Sequence, residues 1–186
     1  MKRTLDKLIV VDVESTCWKN QVPPDQESEI IEIGICLLDL ATANPLEKES
    51  ILVKPIRSQV SDFCTELTTL TQEQVDRGIS FDEACEILRS KYKSHKRVWA
   101  SFGDYDRKMF EKQALNMGIK YPFGSRHINV KTLLAVTLNW QQEIGMARAL
   151  KTLEIPLEGI HHRGEDDAWN IAKILGYLFL LARRNS

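Results

Sequence analysis

An apolar run that ends in two acidic residues is the feature that most constrains the fold of this chain. Residues 8–11 have the character of a buried β-strand and lead directly into Asp12 and Glu14. Side chains two positions apart in a strand point to the same face, so both carboxylates project together. Adjacent carboxylates repel unless a cation neutralises them, and hard divalent cations prefer carboxylate oxygens. The pair therefore indicates either a metal site or a strand that frays into a solvated acidic loop.

The composition is that of an ordinary globular protein. The chain has 186 residues, of which 43% are apolar and 27% charged, enough for one domain with a substantial core. Its net charge of −1 provides no overall basic field, so a polyanion would be held by a local basic rim or by bound metal. We therefore expect one domain over residues 1–186.

The sequence also constrains the cellular compartment. Apolar stretches such as residues 177–182 fall far short of the roughly 20 residues that cross a bilayer, and the N-terminus lacks the apolar stretch of a signal peptide. The cysteines are widely separated, unlike those of a zinc site or a disulfide framework; they are Cys17, Cys36, Cys64 and Cys85. We expect reduced thiols, a cytoplasmic location and no membrane partner.

The order of the strand and helix patterns indicates the fold class. Strands are predicted over residues 8–14, 30–40, 47–54, 98–101 and 127–130. Helices are predicted over residues 105–117, 132–140, 146–153 and 164–183, and Thr71 and Gln74 form a capping box that opens another. Three strands at hairpin-like separations, followed by strands alternating with helices, favour an α/β domain with a mixed five-stranded sheet flanked by helices.

Helical phase distinguishes between the two aspartates that follow the fourth strand. Asp106, Met109 and Phe110 are spaced i, i+3 and i+4, so Asp106 starts on the core-facing side of its helix. Asp104 precedes that face and is better placed as the N-cap. The alternative is that both are ordinary first-turn carboxylates.

The same reasoning applies to the last helix. Asp167 precedes Ile171 by four positions and Ile174 by seven, so it lies on the apolar stripe, whereas Asp166 shares a face with Asn170. A carboxylate on a buried face needs a partner, which a metal or an arginine could supply.

His162 lies five residues before Asp167 in a loop that contains glycines. A histidine titrates near neutral pH and can take a proton from a metal-activated water. The alternative is a solvent-exposed loop histidine without a catalytic role.

Together these residues resemble the three motifs of the DEDDh 3′–5′ exonucleases, the superfamily of RNase T and the proofreading exonucleases. The motifs are Asp12-x-Glu14, Tyr105-Asp106-x-x-Met109-Phe110 and His162-x-x-x-x-Asp167. Residues 11–18, 61–68, 70–75 and 166–172 are also similar to the Eri-like subgroup, which trims the 3′ ends of histone mRNA and small RNAs. The resemblance implies a ribonuclease H-like fold.

The resemblance further implies a metal-dependent 3′–5′ exonuclease that acts on single-stranded 3′ ends, with RNA favoured over DNA, and releases nucleoside 5′-monophosphates. Two divalent cations, Mg²⁺ or Mn²⁺, lie about 3.5–4 Å apart in such sites. By resemblance, Asp12 binds both ions, Glu14 and Asp167 complete one site, Asp106 supports the second, and His162 is the general base.

Two short segments are candidates for contact with the terminal nucleotide. Thr16, Cys17 and Trp18 follow the first strand and could contact its sugar and base. Phe63 and Leu67 are spaced i and i+4, so one helix face could wedge against the last base. For Phe63 and Leu67, local core packing is the alternative.

Two other functions remain open. A catalytically silent nucleic-acid-binding or regulatory module could keep the same fold, although all five catalytic positions are occupied. A metal-dependent phosphatase could also use an acidic strand end, but the chain lacks a D-x-D nucleophile motif and such an activity leaves His162 unexplained.

Overall fold

A mixed five-stranded sheet forms the centre of the structure, a computed structural model that describes residues 5–184. The strands are β1 (Lys7–Ser15), β2 (Ile30–Asp39), β3 (Pro45–Leu52), β4 (Trp99–Ser101) and β5 (His127–Asn129). Their order is β3-β2-β1-β4-β5; β1 and β3 run antiparallel to β2, whereas β1, β4 and β5 are parallel. The predicted α/β class is confirmed, and the carboxyl ends of three strands meet at one edge.

Seven α-helices surround the sheet in the described residues. They are α1 (Asp62–Thr68), α2 (Gln72–Asp76), α3 (Phe81–Ser90), α4 (Tyr105–Met117), α5 (Val130–Thr137), α6 (Met146–Thr152) and α7 (Gly164–Arg184). The bounds of α4, α6 and α7 agree with the predicted ranges to within one residue. The capping box of Thr71 and Gln74 is present at the start of α2.

Two predicted elements are displaced along the chain. Helix α5 was expected over residues 132–140 but begins directly after β5, because the Asn129 side chain accepts a hydrogen bond from Thr132 N at 3.0 Å and caps it. It ends early because Asn139 adopts a left-handed backbone with φ of 53°. Strand β3 was expected over residues 47–54 and lies two residues earlier, since its pairing with β2 reaches back to Pro45.

The side chains of β1 alternate between two hydrophobic layers. Its odd-numbered apolar residues pack with α3 and α4, and its even-numbered ones pack with α5, α6 and α7. Asp12 and Glu14 continue the even-numbered series at the carboxyl end of the strand. The acidic pair therefore faces the layer that contains α7.

Two glycines allow α7 to begin directly on the sheet. Gly34 on β2 lies opposite Asp12, and Gly164 is the first residue of α7. A methyl group on Gly34 would lie 1.8 Å from the Gly164 carbonyl carbon, and one on Gly164 would lie 2.9 Å from Gly34 N. Because neither glycine carries a side chain, the first turn of α7 reaches the end of β1 and brings Asp167 to the acidic pair.

The longest helix, α7, has charged residues in both its first and its last turn. Across residues 5–184, no helix combines the length and the apolar character needed to cross a bilayer.

Candidate active site

Four carboxylates from three elements converge at the carboxyl end of β1. Asp12 and Glu14 come from β1, Asp106 from the first turn of α4 and Asp167 from the first turn of α7. Together with His162 they line a cavity of about 240 Å³. One carboxylate oxygen from each of Asp12, Glu14 and Asp167 lies within 4.8 Å of the other two. The structure thus brings all five predicted catalytic residues to one site.

Asp106 is held in place by the backbone of β1. Its Oδ1 accepts a hydrogen bond from Val13 N at 2.9 Å, and the residue is only 4% exposed. Asp104 occupies the N-cap position, as expected, but its side chain makes no capping hydrogen bond and instead contacts Arg107 Nη2 at 3.3 Å. Of the two aspartates, only Asp106 reaches the cavity.

Asp166 and Asp167 are both buried, but they have different partners. The Asp166 carboxylate pairs with Lys48 Nζ and accepts a hydrogen bond from Ile160 N at 2.8 Å. Those partners hold it away from the cavity, whereas Asp167 points into it. Helical phase therefore correctly predicted that the two side chains point in different directions. It did not predict that Asp166 pairs with Lys48.

Two adjacent histidines, rather than one, contact Asp167. The backbone N–H of His162 donates to Asp167 Oδ2 at 2.9 Å, and His161 Nδ1 lies 3.0 and 3.1 Å from the two carboxylate oxygens. The imidazole rings stack with centroids 3.9 Å apart. His162 also has a left-handed backbone, with φ of 67°. Sequence reasoning selected His162 alone and missed the contact of His161.

A buried ion pair fixes the loop that carries these histidines. Glu32 on β2 lies opposite Glu14 and is fully buried. Its carboxylate accepts hydrogen bonds from Arg163 Nη2 at 3.1 Å, Arg163 Nε at 3.3 Å and Gly164 N at 2.9 Å, and a further one from Ser50 Oγ. A bidentate pair of this kind fixes orientation as well as distance. A charged residue inside an apolar strand was the available signal for Glu32, and sequence reasoning did not use it.

Burial and mutual repulsion raise the pKa values of the clustered carboxyl groups. Burial, reinforced by Asp106 and Glu14, raises the pKa of Asp12 well above its usual value. Burial together with the charges of Asp167 and Glu32 raises the pKa of Glu14 to about 9. Burial also raises the pKa of Asp106 to about 6, despite the hydrogen bond from Val13 N. The cluster is therefore unfavourable as a set of bare anions.

The donor set fits a hard divalent cation. All four clustered side chains offer carboxylate oxygens, the ligands preferred by Mg²⁺ and Mn²⁺. Asp12 and Glu14 have raised pKa values and keep their protons when no cation is bound. A bound cation would displace those protons. Asp12, Glu14 and Asp167 form the tightest group that could hold it.

The five candidate nucleotide contacts lie outside the lining of this cavity. Thr16 is buried, and its Oγ1 accepts a hydrogen bond from Glu29 N at 3.0 Å. Cys17 and Trp18 are partly exposed, as is Phe63 on α1, whereas Leu67 is 36% exposed. Ser61 Oγ donates to Cys17 O at 2.6 Å, which ties the start of α1 to the segment after β1.

Tyr105 is an additional residue of the site that sequence reasoning did not assign to substrate. The residue is 54% exposed and lines the cavity, and its hydroxyl lies 2.6 Å from Ser15 Oγ. Phe102 also lines the cavity. The two rings give the acidic site an aromatic border.

Comparison with known proteins agrees with this geometry. The model of the RNase T exonuclease family matches residues 9–175, a segment that contains all four carboxylates and His162. The chain is 30% identical over 179 residues to 3′-5′ exoribonuclease 1 of Homo sapiens. The aligned segment covers 91% of this chain and 51% of that relative. The chain is 28% identical over 192 residues to the 3′-5′ exonuclease Snipper of Drosophila melanogaster, covering 90% and 67%. The chain thus spans about half the length of the human relative.

Solved structures with the same fold cover nearly all of this chain. The nuclease domain of 3′hExo, a DEDDh family member bound to rAMP, superposes with a TM-score of 0.83 at 28% identity, covering 94% of this chain and 92% of that domain. A structure of 3′-end specific recognition of a histone mRNA stem-loop by 3′-exonuclease gives a TM-score of 0.80 at 28% identity, covering 94% and 82%. These similarities confirm the ribonuclease H-like exonuclease fold.

The raised pKa of Glu14 predicts that the metal-free protein loses folding stability as the pH rises. Because its folded pKa of about 9 exceeds its usual value of 4.5, stability is lost as pH rises between those values. Glu14→Gln removes that ionisation. In EDTA at pH 8 we expect a Tm increase of at least about 2–4 °C, the shift that 1 kcal/mol produces at this size, and a much smaller change at pH 5.

The matched control is Glu66→Gln, which changes an exposed carboxylate on α1. Thermal unfolding of both variants and the parent protein at the two pH values measures the effect. An equal Tm shift at pH 5 and pH 8, or destabilisation at pH 8, would contradict the assignment of a buried, repelled carboxylate.

Proposed function

The chain belongs to the RNase T exonuclease family, and on that premise we propose that it is a metal-dependent 3′–5′ exonuclease of the DEDDh type. Its proposed substrate is a single-stranded 3′ end, with RNA favoured over DNA. The observation that carries the proposal is the convergence of four carboxylates and His162 on one cavity at the carboxyl end of β1. The alternative of a catalytically silent module has no comparable structural support.

The carboxylates would hold the divalent cations. Asp12, Glu14 and Asp167 form the tightest group, and Asp106 borders the same cavity. Bound there, Mg²⁺ or Mn²⁺ would supply positive charge to the phosphodiester and acidify a coordinated water. We propose two such ions, as the family resemblance implies.

His162 is the proposed general base. Burial lowers its pKa below the usual histidine value, so the imidazole is neutral and can accept a proton at neutral pH. In the proposed reaction, water attacks the terminal phosphorus while His162 takes its proton. The bond from phosphorus to the 3′ oxygen of the preceding nucleotide breaks, that oxygen gains a proton, and a nucleoside 5′-monophosphate leaves.

The aromatic border and the two candidate segments would hold the terminal nucleotide. Tyr105 presents an exposed ring beside the acidic cluster and is suited to stacking on a base. Thr16, Cys17 and Trp18 are proposed to contact the terminal sugar and base, and Phe63 with Leu67 to wedge against the base. Support comes from the Ser61–Cys17 hydrogen bond that joins the two segments.

The preference for RNA rests on similarity. The human relative is named an exoribonuclease, and the similar nuclease domain was solved with rAMP. The chain spans about half the length of that relative, so an activity on RNA is a proposal for this protein. A cytoplasmic location is also proposed, from widely separated cysteines typical of a reducing compartment.

The decisive test uses oligonucleotides labelled at either end and the variant Asp12→Asn. With Mg²⁺ or Mn²⁺, the parent protein should shorten single strands stepwise from the 3′ end and stop when EDTA is added. Asp12→Asn should lose activity by about 10³-fold or more, since metal-based charge stabilisation contributes several kcal/mol.

Asp104→Asn is the matched control, because it makes the same chemical change at an acidic residue next to the second motif whose carboxylate contacts Arg107 outside the cavity. It should retain most of the activity. Binding without turnover would favour the silent module, and loss of only a terminal phosphate would favour a phosphatase. Parallel digestion of matched RNA and DNA strands measures the preference between them.

Phe63→Ala tests the proposed nucleotide wedge. Loss of one base–aromatic contact worth about 1–3 kcal/mol should raise KM for a short single strand roughly tenfold. The value of kcat, Mn²⁺ affinity and Tm should change little, because Phe63 does not line the acidic cavity. Steady-state kinetics, metal titration and thermal unfolding measure these quantities.

Leu115→Ala is the control for Phe63→Ala, since Leu115 is 81% exposed on α4. It should leave KM unchanged. If Phe63→Ala also leaves KM at the parent value, the segment does not contact substrate.

A further inference from the structure

The two stacked histidines create a second donor set that differs in chemistry from the acidic cluster. His161, His162 and Asp167 each offer one ligand atom, and these atoms all lie within 4.8 Å of one another. Two imidazole nitrogens and one carboxylate oxygen suit Zn²⁺ and similar transition metals, whereas oxygen-only sets suit Mg²⁺. We propose that these three residues form a Zn²⁺ site that overlaps the exonuclease site at Asp167.

The distance between His161 and Asp167 is close to the one that zinc requires. A tetrahedral zinc ion with ligands about 2.1 Å away holds neighbouring ligand atoms about 3.4 Å apart. His161 Nδ1 already lies 3.0 and 3.1 Å from the Asp167 oxygens. The His161 side chain is 38% exposed at the cavity, so its ring can rotate to complete the set. Three protein ligands leave a fourth position for water.

The backbone places both histidines beside Asp167. A left-handed conformation at a residue other than glycine costs about 1–2 kcal/mol and persists only where its surroundings stabilise it. At His162 that conformation is held by the hydrogen bond from its N–H to Asp167 and by Arg163, whose side chain is bound to buried Glu32. The result is that both histidines lie on one side of Asp167.

Zinc in this position would oppose the proposed exonuclease reaction, a consequence that rests on the proposed function. It would occupy the ring of His162, the proposed base, and share the carboxylate of Asp167, a proposed ligand of the catalytic ions. Zn²⁺ at this site is therefore an inhibitor, even when Mg²⁺ is abundant, because Mg²⁺ competes poorly for imidazole nitrogens.

Binding is measured first, without substrate and with excess Mg²⁺, by zinc competition against a chromogenic chelator and by the absorption spectrum of Co²⁺ as a zinc substitute. Asp12→Asn should retain zinc affinity, because Asp12 lies outside the proposed set. His161→Ala should weaken it by about tenfold or more, since even loss of an outer-shell partner costs 10–100-fold. His95→Ala serves as the control for a histidine away from the cavity and should leave zinc affinity unchanged.

Equal zinc affinity in His161→Ala and the parent protein would overturn the site, as would loss of zinc binding in Asp12→Asn. Thermal unfolding of each variant excludes misfolding as the cause of a loss.

Inhibition is measured second, with each variant compared to its own zinc-free rate in Mg²⁺. Zinc should slow the parent protein, a zinc-selective chelator should restore the rate, and the inhibitory concentration should rise about tenfold in His161→Ala, in line with the affinity change. Zinc binding without inhibition would overturn the regulatory consequence. A protein that binds zinc through His161 but never shortens an oligonucleotide would refute the proposed function and leave the zinc site standing.

Discussion

Four carboxylates held together in a partly closed cavity are the constraint on which the rest of the structure depends. Burial and mutual repulsion raise the pKa values of Asp12, Glu14 and Asp106. If all of them were ionised without a cation, their repulsion and burial would destabilise the fold. Without a cation they therefore tend to keep their protons and stay neutral. A divalent cation resolves this conflict, so the same cluster that costs stability in the metal-free protein provides its affinity for metal.

The surrounding fold keeps this unfavourable cluster assembled. The contact between Gly34 and Gly164 sets the first turn of α7 against the sheet, and Glu32 binds both Arg163 and Gly164 N at the same point. The two glycines thus allow the first turn of α7 to approach β2 closely, while the buried ion pair between Glu32 and Arg163 fixes the orientation of that turn. Both contacts lie on β2, directly beside the strand that carries Asp12 and Glu14.

Local sequence patterns predicted the sheet, the bounds of α4, α6 and α7, and the direction of the acidic side chains. Helical phase was sufficient for Asp106 and Asp167 because each lies on the same face as apolar residues of its own helix. Contacts between distant segments could not be read in this way. The partner of Asp166 is Lys48, 118 residues away, and the partner of Arg163 is Glu32, 131 residues away. Neither the stacking of His161 on His162 nor the left-handed backbone at His162 was indicated by a local pattern.

The central claim is that the acidic cluster at the end of β1 is a divalent-cation centre. Anomalous diffraction from crystals grown with Mn²⁺ tests it most directly. The account predicts two manganese peaks about 3.5–4 Å apart, bound by Asp12, Glu14, Asp106 and Asp167. Absence of manganese from this cavity at saturating concentration, or manganese bound only elsewhere on the protein, would contradict it.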